Sequence, residues 1–262
     1  MSELVAFLAV VLAVVVVALL GLTIVRRTVS HERLAQHTEI AGYVYAVIGV
    51  IYAVILAQVV IAAWEEYRDA RAVADDEANA VLNLARLAQV WSEEDRLRVE
   101  DALSAYADHV VDVEWPAMAA GKFDESLHTV LIHELWQSVN QAGSRAGNLD
   151  PPYDAALQQL DALDGARRSR VLLGENHLPQ AMTVTLIVGA IVTVGFSYLF
   201  AVDDGRIHAL MTASLATLIA LLLLLNFQLE TPFGGVSAIQ PTAMELVRSE
   251  IDAGLGATGG ES

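Results

Sequence analysis

Gln58, Glu65, Asp69 and Asp76 are the residues of this sequence best placed to handle an ion. On a wheel of ~100° per residue they share one helix side with Val44, Ile51 and Ala62, within about 60° of one another. Read along the chain, that side is apolar, then amide, then acidic. Gln58 is the one strongly polar side chain in the apolar run from Gly42 to Ala63. Polar groups at membrane depth ordinarily face a partner or a water-filled cavity, so two readings stand. If copies of the chain surround an axis, this side lines a pore with an acidic mouth, where carboxylate rings concentrate cations and exclude anions. Otherwise Gln58 hydrogen-bonds a neighbouring helix and the acids form a solvated face.

Other constellations carry less chemistry. His31, His37 and Glu39 sit in a short connector without the spacing of a helical ligand pair. His109 lies near Asp108 and Asp112, and His128 and His133 stand beside Glu134. A zincin helix needs His-Glu-x-x-His with ligands four apart, whereas here the two are five apart. Solvated or satisfied histidines are the expectation, with no metal and no cofactor. There is no Gly-rich phosphate loop, nucleophile elbow or paired-carboxylate signature, so no catalytic residue is assigned and no enzymatic role is expected. The chain contains no cysteine, which excludes disulfides and thiolate sites. Its 262 residues carry a formal net charge of -17, which repels nucleic acid and favours cations.

The elements that must position these residues follow from hydropathy. The composition is 55% hydrophobic and the mean hydropathy is +0.48, both pointing to a membrane protein. The expected class is all-α: an integral membrane protein with four transmembrane helices and a helical soluble domain inserted between the second and third spans. Leu4 to Val25 is a first span closed by Arg26-Arg27, too long in its apolar core for a signal peptide. A connector over Thr28 to Ile40 leads to the second span. That span continues through Trp64-Glu65-Glu66-Tyr67 into a charged, alanine-rich helix with nothing to stop it at the surface. Gly42, Ala46, Gly49, Ala53 and Ala57 form a small-residue stripe along it, suited to close helix packing. Domains are expected at 1–63, 64–177, 178–230 and 231–262.

Within 64–177 the pattern is helical throughout. Ala74, Ala78, Val81, Ala85 and Ala88 continue the rod toward Val90. Ser92 and Asp95 open a second helix, which Trp115-Pro116 bends or ends. A third helix fits Asp124 to Gln141 and a loop Gly143 to Asn148. Asp150 caps a fourth with Pro151 at its first position, running through Leu157, Leu160 and Leu163. Ala181 to Phe200 and His208 to Phe227 are the third and fourth spans, joined by an acidic turn. Pro241 to Ile251 forms a short surface helix, and Gly254 to Ser262 reads as disordered.

Glu39-Ile40-Ala41-Gly42, then Tyr45 to Val54 with Tyr52, then Trp64-Glu65-x-Tyr67, resembles the bestrophin-like family of bacterial membrane proteins. Gly195-Phe196-Ser197-Tyr198-Leu199-Phe200 and Leu229-x-x-Pro232-Phe233-x-Gly235 are similar to it as well. The resemblance covers essentially the whole ordered chain. One departure is Gln58, where an aromatic or aliphatic residue would be expected, and it argues against a simple hydrophobic gate at that level. The resemblance implies a homo-oligomer built like the pentameric bestrophin channels, with the second span lining the pore. Animal bestrophins conduct anions, whereas bacterial relatives can prefer cations; monovalent or divalent cations and membrane lipid are thus the partners expected here. A multi-pass location in the cell membrane follows. The arginines divide between the two sides: Arg26, Arg27, Arg33 and Arg206 on one, Arg68, Arg71, Arg167, Arg168 and Arg170 on the other. The resemblance implies a cytoplasmic soluble domain. The competing reading is a non-conducting membrane scaffold or sensor whose helical domain binds a partner.

Overall fold

The computed structural model describes residues 2–35, 38–122, 128–146, 151–175 and 179–254. Every regular element among them is helical: α1 (Ser2–Thr28), α2 (His31–Ala35), α3 (Thr38–Ala88), α4 (Glu93–His109), a π-turn (Val110–Glu114), α5 (Trp115–Ala119), α6 (His128–Ala146), α7 (Pro151–Glu175), α8 (Gln180–Ser197), α9 (Gly205–Leu229) and α10 (Thr242–Asp252). This is the all-α class expected. Four helices, α1, α3, α8 and α9, are long and apolar enough to cross a membrane. The chain divides into two units.

The first unit takes Met1–Glu66 and His177–Glu230. Here α3 buries Tyr52, Leu56 and Val59 against Leu186 and Ala190 of α8 and Ile219 of α9. A Cβ at Gly189 would lie 2.5 Å from the Tyr52 ring, so the glycine is the seat of that tyrosine. The Tyr52 hydroxyl donates to the Leu186 carbonyl at 3.3 Å. Tyr45 stacks on Phe196 at 5.9 Å and meets Phe200 edge-on at 5.3 Å. Tyr45 and Tyr52 thus hold the second span to the third. At the turn between α8 and α9, Arg26 of α1 donates to the Val202 carbonyl at 3.2 Å. Asp204 caps α9 by accepting the Arg206 N–H at 2.8 Å. The connector expected over Thr28 to Ile40 is mostly helix: α2 occupies part of it, and α3 already begins at Thr38, whose hydroxyl donates to the Leu34 carbonyl at 2.8 Å. His37 lies outside the described residues.

The second unit takes Tyr67–Asn176 and Thr231–Ser262. Its core gathers Val81, Leu84, Leu103, Tyr106, Leu135, Leu160 and Leu163, all at helical spacing on their own elements. The Ser92 hydroxyl accepts the Asp95 N–H, as a capping residue should. Two expectations need correction. The helix does not end at Trp115-Pro116. A proline ring clashes with the carbonyl four residues back, and the chain widens into the π-turn instead, with the Trp115 N–H bonded to the Val110 carbonyl. Likewise Gly143 does not begin a loop, because α6 runs on through Ala146. A Cβ at Gly143 would stand 2.2 Å from the Tyr153 ring of α7, so this glycine is needed for close approach rather than for a turn. Pro151 opens α7 as expected; Asp124 to Leu127, Asp150 and residues 255–262 lie outside the described residues. The helix expected at Pro241 is α10, which buries Met244, Val247 and Ile251 and is therefore packed on one side.

Gly143→Ala gains helix propensity of up to ~1 kcal/mol but forces the Tyr153 ring to move, an overpacking cost of about 1–3 kcal/mol. Thermal unfolding followed by circular dichroism should show a net loss. Adding Tyr153→Ala should remove the part of the loss due to the clash.

Candidate functional site

From Tyr52 to Ala88, α3 has one buried side. Tyr52, Leu56, Val59, Ala63, Ala70, Ala74, Val81 and Ala88 are all buried and fall within about 60° of one another on the wheel. The proposed ion-facing residues Val44, Ile51, Gln58, Ala62, Glu65, Asp69 and Asp76 are all exposed in the single chain. Gln58 makes no hydrogen bond to any described residue. On the opposite flank Ala46, Ala53 and Ala57 are exposed and Gly42 and Gly49 half-buried. A Cβ at Gly49 would meet nothing within 4 Å, so the small-residue stripe is left free by packing inside the chain.

Glu77 breaks the polarity rule, since it lies on the packed side of α3 and is fully buried. Burying a carboxylate is tolerable only with paired charge and full hydrogen bonding. Arg170 of α7, also fully buried, supplies both: its Nε donates to Glu77 Oε2 and its Nη2 to Glu77 Oε1 at 3.0 Å. The Tyr106 hydroxyl of α4 donates to the same Oε1 at 2.7 Å. Arg170 Nη2 also donates to Glu114 Oε2 at 2.6 Å, and Arg167 donates to Glu114 Oε1 through Nε at 3.1 Å and Nη2 at 2.9 Å. Two carboxylates and two guanidiniums therefore cancel inside the helical bundle. His109 Nε2 stands 3.7 Å from Glu114 Oε1.

The protonation states follow from this geometry. Burial alone would raise the Glu114 carboxyl, but Arg170 and Arg167 outweigh it and hold the group below its ordinary 4.5. Burial would lower Arg170, and the Glu77 carboxylate more than reverses that. Burial first, then the neighbouring Glu77 charge, pushes the Tyr106 phenol well up.

The network also holds the segment after α9. The Arg170 guanidinium lies 5.0 Å from the centroid of the Trp115 ring, a cation–π distance. Phe233 meets the same ring edge-on at 5.4 Å, and the Trp115 indole N–H donates to the Ile239 carbonyl at 2.9 Å. The Ile239 N–H in turn donates to the Pro232 carbonyl at 2.8 Å. Gly235 takes φ +75, a left-handed conformation that suits glycine. The Tyr67 hydroxyl donates to the Ser237 carbonyl at 2.8 Å. Tyr67, Pro232, Phe233 and Gly235 are thereby brought into one clasp; Trp64 is exposed.

Sequence reasoning missed the network, although its signal was present. Glu77 is three residues after Ala74 and four before Val81, inside the apolar stripe. Arg167 and Arg170 continue the Leu160, Leu163 stripe at steps of four and three. Among the described residues no three His, Asp or Glu side chains are placed to hold a metal. His133 accepts from Gln137 Nε2 at 2.8 Å, and the side chain of His128 lies outside the described residues.

Four candidate spans and a helical bundle carrying a buried ion network define a multi-pass, all-helical membrane protein. The chain belongs to the Bestrophin-like domain family, which matches residues 12–244. Two solved structures of a bacterial Bestrophin homolog from Klebsiella pneumoniae share the fold. One is 16% identical over 95% of this chain and 99% of that chain, with a TM-score of 0.73. The other is 16% identical over 94% and 98%, with a TM-score of 0.72. No curated protein matches the chain.

Arg170→Gln leaves Glu77 buried without its cation and should cost about 3–5 kcal/mol, read as a lowered midpoint of bundle unfolding. Because the folded Glu114 carboxyl lies below its unfolded value of 4.5, its contribution is complete above that pH and is lost as pH falls through the depressed value. Unfolding midpoints of the wild type should therefore drop below pH ~4.5. Glu114→Gln should flatten part of that drop.

Proposed function

We propose that this chain forms an oligomeric, cation-preferring ion channel of the cell membrane, with α3 lining the pore. The observation that carries the reading is Gln58: an amide within an apolar span, exposed, with no partner among the described residues. Leaving such a group in hydrocarbon costs several kcal/mol on the scale of ~2–7, so its partner is water or another copy. The reading in which Gln58 bonds a neighbouring helix of its own chain has no hydrogen bond to support it.

The packed side of α3 supports a choice of lumen-facing residues. The pole opposite that side falls among Val47, Val50, Val54 and Ile61, all exposed. Gln58 and Glu65 lie within about 50° of it, Ile51 and Asp69 about 70°, and Val44 and Ala62 about 90°. In this reading an ion leaves a valine-lined stretch, meets the Gln58 amides and then the Glu65 and Asp69 carboxylates. Apolar constrictions resist ions by dewetting, and an amide ring lowers that barrier. The exposed small-residue flank of Gly42, Ala46, Gly49, Ala53 and Ala57 gives adjacent copies a close-approach surface. Five copies in a ring, a cytoplasmic bundle, lipid around the spans and monovalent or divalent cations as cargo complete the reading, as the family likeness suggests. No enzymatic activity is assigned.

Gln58→Leu should lower single-channel conductance about tenfold in reconstituted bilayers, one tenfold step corresponding to ~1.4 kcal/mol of added barrier. Glu65→Gln should reduce the cation-to-anion permeability ratio about threefold, read as a reversal potential moving toward zero in a salt gradient. Unchanged currents in both variants would remove α3 from the pore. Absence of flux in the wild type at every salt and pH would favour the scaffold.

A further inference from the structure

Arg26, in the last turn of α1, binds the turn between α8 and α9 without a carboxylate. Its Nη1 donates to the Val202 carbonyl at 3.2 Å and its Nη2 to the Asp203 carbonyl at 3.5 Å. Nη1 also stands 3.4 Å from Nδ1 of His208, in the first turn of α9. A Cβ at Gly205 would lie 3.4 Å from the Arg26 Cζ, so the guanidinium rests on the start of α9. Among the described residues no acid pairs with Arg26 or with His208.

His208 is 3% exposed, and both of its ring nitrogens are committed. Nε2 lies 3.0 Å from the Ser197 carbonyl. A carbonyl only accepts, so Nε2 carries the proton. Nδ1 is then the bare nitrogen of a neutral imidazole, and it accepts from Arg26. The two contacts together fix the tautomer.

A second proton on the ring reverses one of them. Nδ1–H would face a guanidinium N–H, donor against donor and cation against cation. The first turn of α9 is also the positive end of its dipole, where a cation gains nothing. The charged and titratable side chains that the packed elements bring to this end are Arg26 and Arg27 of α1, Tyr198 after α8, Asp203 and Asp204 of the turn, and Arg206 of α9 itself. Arg26 alone among them bonds the imidazole, and the Asp204 carboxylate accepts the Arg206 N–H at 2.8 Å. A buried charge without a partner is costly. Arg26 is exposed and is therefore the group free to leave.

We infer that Arg26 and His208 form an acid-released latch between α1 and the α8–α9 turn, closed while His208 is neutral and open once Nδ1 is protonated. Imidazole is the side chain that gains its proton between about pH 8 and pH 5, so acidification in that range frees the end of the first span from the hairpin of the last two. α3 takes no part. The latch therefore stands whether or not α3 lines a pore, and its test reads no ion flux.

The test is hydrogen–deuterium exchange of the intact assembly at about pH 7.5 and about pH 5.5, corrected for the intrinsic pH dependence of amide exchange. In the wild type, protection over residues 24–29 and 199–206 should fall about tenfold at the lower pH, with the middle of the spans unchanged. His208→Gln keeps a donor for Ser197 and an acceptor for Arg26 that does not titrate, and it should stay protected at both values. Arg26→Gln removes the guanidinium. It should be loosened already at the higher pH and lose no more on acidification, and it carries the test if His208→Gln does not assemble. Equal corrected protection of the wild type at the two values would overturn the inference. An acid-induced fall that persists in either variant would assign the response to another group and overturn it as well.

Discussion

A single packed side on a single long helix governs this protein. From Tyr52 to Ala88 the same side of α3 is buried, first against α8 and α9 and then within the bundle. A helix of 51 residues that is packed on one side presents its remaining surface to whatever lies outside the chain. The division into a packed side, an amide-and-acid side and a small-residue flank is therefore a consequence of packing. Had the glutamine stood one position later, at Val59, or two earlier, at Leu56, it would have pointed into the buried side of α3 and needed a partner there.

The bundle solves a different problem with the same helix. Glu77 occupies a place in the apolar stripe, and the fold answers with Arg170, Tyr106, Glu114 and Arg167 from three other helical segments. A buried ion network of this kind adds little net stability over a well-packed apolar core, yet it is costly to break in part. Its value here is in orientation. Arg170 faces Trp115, and Trp115 takes Phe233 on its edge and the Ile239 carbonyl on its indole N–H. The π-turn lets the chain carry Pro116 immediately after that tryptophan without ending the helix. Tyr67 and the stretch from Pro232 to Gly235, far apart in the sequence, meet at this clasp.

The class of fold was legible because long apolar runs and helical spacing are local signals, and so were the Ser92 cap and the start of α7. The errors arose where a residue serves a distant contact. Gly143 reads locally as a loop residue but makes room for Tyr153, and Pro116 reads as a bend or an end, whereas the helix runs past it through a π-turn. Arg167 and Arg170 read as charges flanking a membrane span; both are buried and paired with carboxylates. Glu77 reads as one acid among many in a charged segment, because its identity as a core residue depends on which side of α3 is packed. Gln58 is marked out by a different feature, the lack of a hydrogen-bond partner among the described residues.

The chain has no native cysteine, so a single introduced thiol reports its own surroundings without background. The most direct test of the account is the reactivity of Gln58→Cys toward a charged, membrane-impermeant thiol reagent in reconstituted vesicles. Leu56→Cys, on the packed side, serves as the reference. Wetting of the α3 side predicts rapid modification at position 58, none at position 56, and a fall in ion flux as modification proceeds. A thiol at position 58 that reacts only with a lipid-soluble reagent would show that this side faces hydrocarbon and would contradict the account.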